Sequence, residues 1–390
     1  MAEDRKLKIA LVIERMDPGL GGRETSTGQI ACELARRGHQ VTVLCQKGSW
    51  RAPGAAVRCL RSGGLLRVVR LKRFVAAVQQ EIDGGAYDVI HSMLPVPGAD
   101  VYQPRGGTVP AQQAASLRRR RGLGRLGRQL LESLNLCRQH TAELERQVVA
   151  DSRTLCLAVS EMVALEFDRY YGRAEGVRVI YNAVDVPDPD LPQRVQWRRQ
   201  RRQELGVGEE ALVFLTVAAN FELKGVAETI TAFARWCHSH GRRMDARLVI
   251  VGREMPEGYM ARAGMHSVGS DVVFIPPTPE IFQWYAAADA VVLLSWYDPC
   301  SRVVLEATRW GIPSITTVYN GAAEVLGYGG GMVVESPRAV RAVAAAMDEL
   351  ADRRRRAVRA EACRQAAGKL STQRHVDELL AAYAEVLETS

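Results

Sequence analysis

Two carboxylates are the first residues to suggest chemistry. Asp298 and Glu306 have seven residues between them in Tyr297-Asp298-Pro299-Cys300-Ser301-Arg302-Val303-Val304-Leu305-Glu306. The apolar run 290–294 reads as a buried strand, and a helix is predicted over 302–310. Eight positions span a little over two helical turns, which returns Glu306 to roughly the face of the helix entrance. One acid at the mouth and one along the helix suit a polyhydroxylated ligand gripped at two ends. The same residues equally describe a capped helix with a surface glutamate. The following residues favour a site. Trp310-Gly311-Ile312-Pro313 closes the helix, a strand follows at 314–317, and Asn320-Gly321-Ala322-Ala323-Glu324 opens another helix. Two helix N-termini would then converge on one anion.

Gly19-Leu20-Gly21-Gly22 lies between an apolar strand and a helix starting near Thr25. It lacks the G-x-G-x-x-G fingerprint, so a plain tight turn and a phosphate contact at Gly21 and Gly22 are both open. The run 117–128 carries Arg118, Arg119, Arg120, Arg121, Arg125 and Arg128 among Leu and Gly. A solvated basic loop is the plain reading; a membrane surface or a phosphate-rich acceptor is the functional one. No aromatic residue interleaves these arginines, which argues against nucleic acid. Arg353 to Arg356 read as a solvated helix face.

These residues need elements to place them. Apolar runs at 8–14, 40–45, 87–91, 155–159 and 177–181, with helical segments between, give βαβ units and a parallel sheet. A second series starts at 212–217 and continues at 247–252, 272–275, 290–294 and 314–317. Between the two series, Val184-Asp185-Val186-Pro187-Asp188-Pro189-Asp190-Leu191-Pro192 carries three prolines, which block a helix and mark a linker. The expectation is α/β: residues 1–187 form one Rossmann-like domain, 188–365 a second, and 366–390 a C-terminal helix packing back toward the first. At 390 residues the chain has the length for two such domains. The 47% hydrophobic and 25% charged residues fit a globular protein, and the net charge of +8 favours acidic partners without choosing one. No apolar run reaches the ~18 residues of a membrane span, and no signal peptide is recognisable, so a cytoplasmic location is expected. Eight scattered cysteines without metal spacing read as reduced thiols.

The segment 297–324 resembles the signature region of glycosyltransferase family 4. The Gly-Gly loop, Ala158-Val159-Ser160-Glu161-Met162, Val179-Ile180-Tyr181-Asn182-Ala183-Val184-Asp185 and Lys224-Gly225-Val226 follow in that family's order. The resemblance covers most of residues 7–330. It is closest to the lipopolysaccharide-core glucosyltransferase branch, which Pro97-Gly98-Ala99-Asp100-Val101-Tyr102 also resembles.

The resemblance implies a GT-B fold, two Rossmann-like domains with parallel sheets facing across a cleft. It implies a retaining hexosyltransferase that uses a nucleotide-diphosphate sugar, with a UDP-sugar favoured, and needs no cofactor or metal. The acceptor would be a glycan or glycolipid, in lipopolysaccharide or cell-envelope polysaccharide synthesis. The enzyme would be cytoplasmic or peripheral at the inner face of the cytoplasmic membrane. Glu306 would hold the donor ribose and Asp298 the sugar hydroxyls. Backbone groups near Cys300, Ser301, Arg302, Val303, Asn320 and Gly321, with Gly21, Gly22 and Asn182, would serve the donor, and Lys224 would add a charge for the diphosphate. Asp100 would face the acceptor hydroxyl, ahead of His91 as a candidate base.

Two departures stand out. Asp298 replaces the usual Glu and is one methylene shorter. The loop Ala218-Ala219-Asn220-Phe221-Glu222-Leu223-Lys224 lacks the Arg that usually partners the Lys and carries Glu222. Arg302 or Arg253 is expected to supply the missing cation. The rival readings are a sugar-nucleotide epimerase on the same fold and a sugar-nucleotide or glycan-binding protein without turnover.

Overall fold

A computed structural model of the chain describes residues 6–17, 21–51, 53–60, 62–120, 122, 124, 127, 132, 134–188, 191–240, 245–327 and 329–389. The chain divides into two compact units: residues 1–183 with 371–390, and residues 184–370.

In the first unit the elements run β1 (Lys8–Met16), α1 (Gly22–Arg36), β2 (Gln40–Gly48), β3 (Ala55–Cys59), α2 (Arg67–Asp83), β4 (Val89–Ser92), β5 (Val101–Tyr102), α3 (Val109–Arg118), α4 (Leu136–Ala150), β6 (Leu155–Ala158), α5 (Glu161–Tyr171) and β7 (Val177–Val179). The strands form one sheet in the order β3-β2-β1-β4-β5-β6-β7, with every pair parallel. The apolar runs of β1 and β6 are buried throughout their centres because helices cover both faces of the sheet. Two strands lack a legible pattern. β3 is a largely solvated edge carrying Arg58, and β5 is only two residues long.

The second unit runs α6 (Leu191–Glu204), β8 (Leu212–Ala218), α7 (Val226–Ser239), β9 (Ala246–Gly252), α8 (Glu257–Met265), β10 (Val272–Ile275), α9 (Ile281–Ala287), β11 (Ala290–Leu293), α10 (Arg302–Arg309), β12 (Ser314–Thr317), α11 (Ala323–Leu326), β13 (Gly331–Val334), α12 (Val340–Ala351) and α13 (Arg353–Ala367). Its sheet order is β10-β9-β8-β11-β12-β13, again all parallel. The last helix, α14 (Thr372–Thr389), belongs to the first unit. Its Val376, Leu379, Tyr383 and Val386 recur at helical spacing and are buried with Ile9, Leu11, Ile30 and Leu34.

The boundaries differ from the expected 187 and 365. Val184 donates its N–H to the Leu370 carbonyl at 3.0 Å, and Val186 packs with the core around Trp284 and Trp310, so residues 184–187 belong to the second unit. Residues 366–370 also remain there, because α13 continues to Ala367 and the turn Gly368–Leu370 closes on it.

Each sheet reverses its strand order once, between β1 and β4 in the first unit and between β8 and β11 in the second. Ligands of open α/β sheets bind outside the carboxyl ends of the strands at such a reversal.

Candidate functional site

In the second unit, the loops leaving β8 and β11 meet at the reversal. Trp296 donates its N–H to the Leu223 carbonyl at 2.9 Å, and Asn220 Oδ1 accepts the Leu223 N–H at 2.6 Å. Gly225, with φ +64°, lies so close to β11 that a Cβ would stand 2.2 Å from the Leu294 carbonyl oxygen. These contacts bring Lys224 to Asp298, whose Oδ2 accepts from Nζ; both side chains are mostly buried.

Asn320 joins the next loop to this one. Its Oδ1 accepts the N–H groups of Ser301 (3.2 Å) and Ala322 (3.1 Å), and its Nδ2 donates to Thr316 Oγ1 at 2.9 Å. Asp298 and Asn320 form a bridge, in which Asp298 N–H reaches the Tyr319 carbonyl (2.8 Å) and Gly321 N–H reaches the Asp298 carbonyl (2.9 Å). These bonds bear on the expected pair of anion-receiving helix ends only at Ser301 and Gly321. The Ser301 and Gly321 N–H groups already serve the loop, and α11 is a single four-residue turn.

α10 buries Val304, Leu305, Ala307 and Thr308, which leaves Arg302, Val303 and Glu306 on its other face. Glu306 accepts a hydrogen bond from the Tyr285 hydroxyl at 3.0 Å and faces the Arg302 guanidinium at 3.4 Å. Burial pushes the Glu306 carboxyl above its ordinary range, while Arg302 and Tyr285 pull the other way. Tyr285 itself is raised, by burial and then by the Glu306 charge. Trp310 closes the helix in a cluster with Phe282 (centroids 5.7 Å apart) and Trp197 (6.3 Å). Cys300 is buried beside these loops, and Arg253 is exposed just past β9. Arg302 is therefore engaged with Glu306, and the expected substitute cation already has a carboxylate beside it. Sequence reasoning missed Tyr285, since it lies 21 positions from its partner and no local spacing signals it.

In the first unit, the expected donor contacts sit differently. Gly21 precedes α1, and Glu24 folds over it: a Cβ on Gly21 would stand 2.8 Å from Glu24 Oε2. The Glu24 carboxylate thus lies beside Gly21 at the start of α1. Asn182 is buried and accepts from Arg105 Nη2 at 2.7 Å.

Arg105 is the main residue that sequence reasoning passed over. It follows the two-residue β5, which has no readable period. The residue is 5% exposed, and its guanidinium donates to Gln103 Oε1 (3.2 Å), Asn182 Oδ1 and Ser26 Oγ. His91 and His375 are buried nearby. His91 is pushed down to about 3, by burial and then by the Arg105 charge, and His375 is lowered for the same two reasons. His91 Nδ1 lies 2.7 Å from the Tyr383 hydroxyl, and His375 Nδ1 lies 2.8 Å from the Tyr181 carbonyl.

Asp100 does not join this edge. It precedes β5, at the amino-terminal side of a parallel sheet. Its Oδ2 accepts the Ile90 N–H at 2.7 Å and its carbonyl accepts the Leu155 N–H at 2.9 Å. Burial raises its pKa. The side chain ties β4 to β5 at the edge opposite the carboxyl ends, so the expected acceptor-facing role does not fit its place.

The carboxyl edge of this unit instead holds a cavity of about 230 Å³ lined by Glu14, Arg23, Arg67, Met93, Gly106 and Arg138, among others. Glu145 also borders it, but its carboxylate is engaged by Tyr102, Tyr171 and the Val109 N–H. Arg118 ends α3, and Arg119 and Arg120 follow it; Arg121, Arg125 and Arg128 lie outside the described residues. Among the described residues, no cluster of three or more His, Cys, Asp or Glu forms a metal site, and no helix is long and apolar enough to cross a membrane.

Two parallel Rossmann-like sheets, each with polar groups gathered at its strand reversal, define a GT-B architecture. The chain belongs to the GT-B glycosyltransferases: residues 20–187 match the model of Glycosyltransferase Family 4, and residues 198–370 that of Glycosyl transferases group 1. It is 25% identical over 317 residues to the lipopolysaccharide glucosyltransferase WaaG of Escherichia coli, covering 78% of this chain and 79% of that one. It is 27% identical over 396 residues to the D-inositol 3-phosphate glycosyltransferase of Geodermatophilus obscurus, covering 94% and 85%. The crystal structure of WaaG superposes with a TM-score of 0.78 at 22% identity, over 96% of this chain and 98% of that one. Anabaena HepE in complex with UDP-glucose gives 0.69 at 19% identity, over 98% and 99%.

Proposed function

We propose that this glycosyltransferase moves a hexose from a nucleotide-diphosphate sugar, a UDP-sugar first, to a glycan or glycolipid acceptor with retention at the anomeric carbon and without a metal. The observation that carries this reading is the meeting of Lys224, Asp298, Arg302 and Glu306 at the strand reversal of the second unit. Glu306, held by Tyr285, suits the ribose hydroxyls. Lys224 and Arg302 suit the diphosphate, whose charge grows as the glycosidic bond breaks. The HepE complex makes UDP-glucose the first donor to try.

The acceptor reading rests on the cavity of the first unit, whose arginines suit an anionic glycan. Exposed Leu65, Leu66, Leu134 and Leu136 flank its lining residues in sequence, next to Arg67, Lys72 and Arg138. Exposed leucines among basic side chains fit a membrane surface, and with it a peripheral location and a role in lipopolysaccharide or cell-envelope synthesis.

The test is a panel of UDP-, GDP- and ADP-sugars, read by thermal shift and then by donor hydrolysis and transfer with and without EDTA. A stabilising donor, turnover in EDTA and a product of retained configuration support the reading. Binding without transfer or hydrolysis identifies a binding protein, and a donor altered at a sugar hydroxyl identifies an epimerase. Stabilisation by no donor sinks the reading.

A further inference from the structure

The chain carries eight cysteines, and the first unit's sheet brings two of them together. Parallel strands β2 and β3 align Cys45 with Cys59, and the two Sγ atoms lie 3.6 Å apart. Residues in register on neighbouring parallel strands point to the same face, so the two thiols extend the rows of Val41 and Val43 and of Ala55 and Val57. Neighbouring strands run about 4.8 Å apart, inside the span of about 4.4–6.8 Å between Cα atoms that a disulfide requires.

The two thiols differ in access. Cys45 is fully buried, and burial, then the neighbouring Cys59, pushes its thiol up to about 12, so it stays protonated. Cys59 is exposed on the solvated edge strand, where its Sγ donates to the Gly48 carbonyl at 3.5 Å. One reachable thiol with a second directly behind it is the arrangement of an attacking and a resolving cysteine. Neither residue lines the cavity of the first unit.

We propose that Cys45 and Cys59 form a modification site, a dithiol that a low-molecular-weight disulfide such as glutathione disulfide converts to a reversible bond between β2 and β3. The Cys59 thiolate attacks one sulfur of the small disulfide, whose S–S bond breaks and whose first thiol leaves. Cys45 then gives up its proton and attacks the Cys59 sulfur, and the second thiol leaves. The chain loses two hydrogens and two electrons, and the small disulfide gains them as two thiols. The high value at Cys45 makes the second step the slower one at neutral pH. The bond joins residues 14 positions apart and restricts the unfolded chain, so the oxidised protein is expected to melt at or above the reduced one.

The experiment incubates the folded full chain with glutathione disulfide, quenches with acid, blocks the remaining thiols with iodoacetamide and maps tryptic peptides by mass spectrometry. Trypsin cuts after Lys47 and after Arg58, so the bond joins two separate peptides. That linked pair is expected, lost again on treatment with dithiothreitol, in a chain whose melting temperature is equal or higher. In Cys45→Ala the reaction is expected to stop at a glutathione adduct on Cys59 that the wild type does not retain. In Cys59→Ser, Cys45 is expected to stay unmodified. A lasting adduct on wild-type Cys59, modification of Cys45 in Cys59→Ser, or no reaction at either cysteine overturns the proposal. So does a bond that forms only in urea, or a lower melting temperature in the oxidised chain. Should a variant fail to fold, the wild-type peptide map decides alone.

Discussion

The carboxyl edges of the two sheets solve one problem in different ways. Each gathers polar side chains from several loops at a buried strand reversal. In the second unit the charges are matched at short range, Lys224 by Asp298 and Arg302 by Glu306, all mostly buried but still reached by solvent. In the first unit the Arg105 guanidinium is buried and donates, among its contacts, to oxygens of Gln103, Asn182 and Ser26, while burial and its charge lower the pKa of two histidines nearby. A matched pair leaves groups that a charged ligand can re-pair. A buried cation among neutral acceptors instead locks loops together, since each acceptor freed without a new partner costs about 1–3 kcal/mol. The second edge is thus suited to exchange partners with a ligand, and the first to hold its shape.

The largest effect expected from this contrast is at Glu306. Glu306→Gln keeps a group for the Tyr285 hydroxyl but removes the charge. Transfer from a UDP-sugar should fall by about 100-fold in kcat/KM, roughly 2.7 kcal/mol of transition-state stabilisation. The melting temperature should move little. A variant that unfolds early yet turns over normally would make the second edge structural and break the contrast.

An intermediate effect is expected from acid. His91 and His375 titrate in the folded chain below the usual histidine value near 6.5, so the unfolded state takes up protons first. Stability present at pH 7 should therefore be lost as the pH falls below about 6.5, by up to ~1.4 kcal/mol per pH unit for each histidine. Urea unfolding between pH 7 and 5 measures the slope, and His91→Gln should reduce it. An unchanged slope in that variant would remove His91 from the account.

The smallest effect is expected at Asp100. An amide oxygen can still accept the Ile90 N–H, so Asp100→Asn should alter kcat by less than about threefold. Loss of a general base would cost ~100-fold or more. A loss of that size would return Asp100 to the reaction and overturn its placement as a tie between strands.

What could be read ahead of the structure depended on how local the physical signal was. The long strands β1, β2, β8 and β9 and the glycine-punctuated helices between them were legible, because burial on both faces demands unbroken apolar runs. The edge strand β3 and the two-residue β5 were not, and missing β5 had consequences. Without it, Asp100 read as part of a loop facing a ligand, when it precedes a strand at the opposite edge. Arg105, three residues beyond β5, drew no notice for the same reason.

The amino-acid sequence by itself determined the α/β class, the two-unit organisation and the Asp298 to Glu306 constellation, because each is written in short-range pattern and spacing. Only the tertiary structure decided that Asp298 meets Lys224, that Glu306 meets Tyr285, and that the Glu24 carboxylate lies beside Gly21. The last helix was expected to pack back toward the first unit, and the structure supplied its partners there, such as Tyr383 against His91. The Asp298, Glu306 and last-helix contacts join groups 21 to 292 positions apart, and such partners are chosen by how strands order in a sheet. Glu24 is only three positions from Gly21, yet its spacing alone does not say that its carboxylate folds back over the helix start.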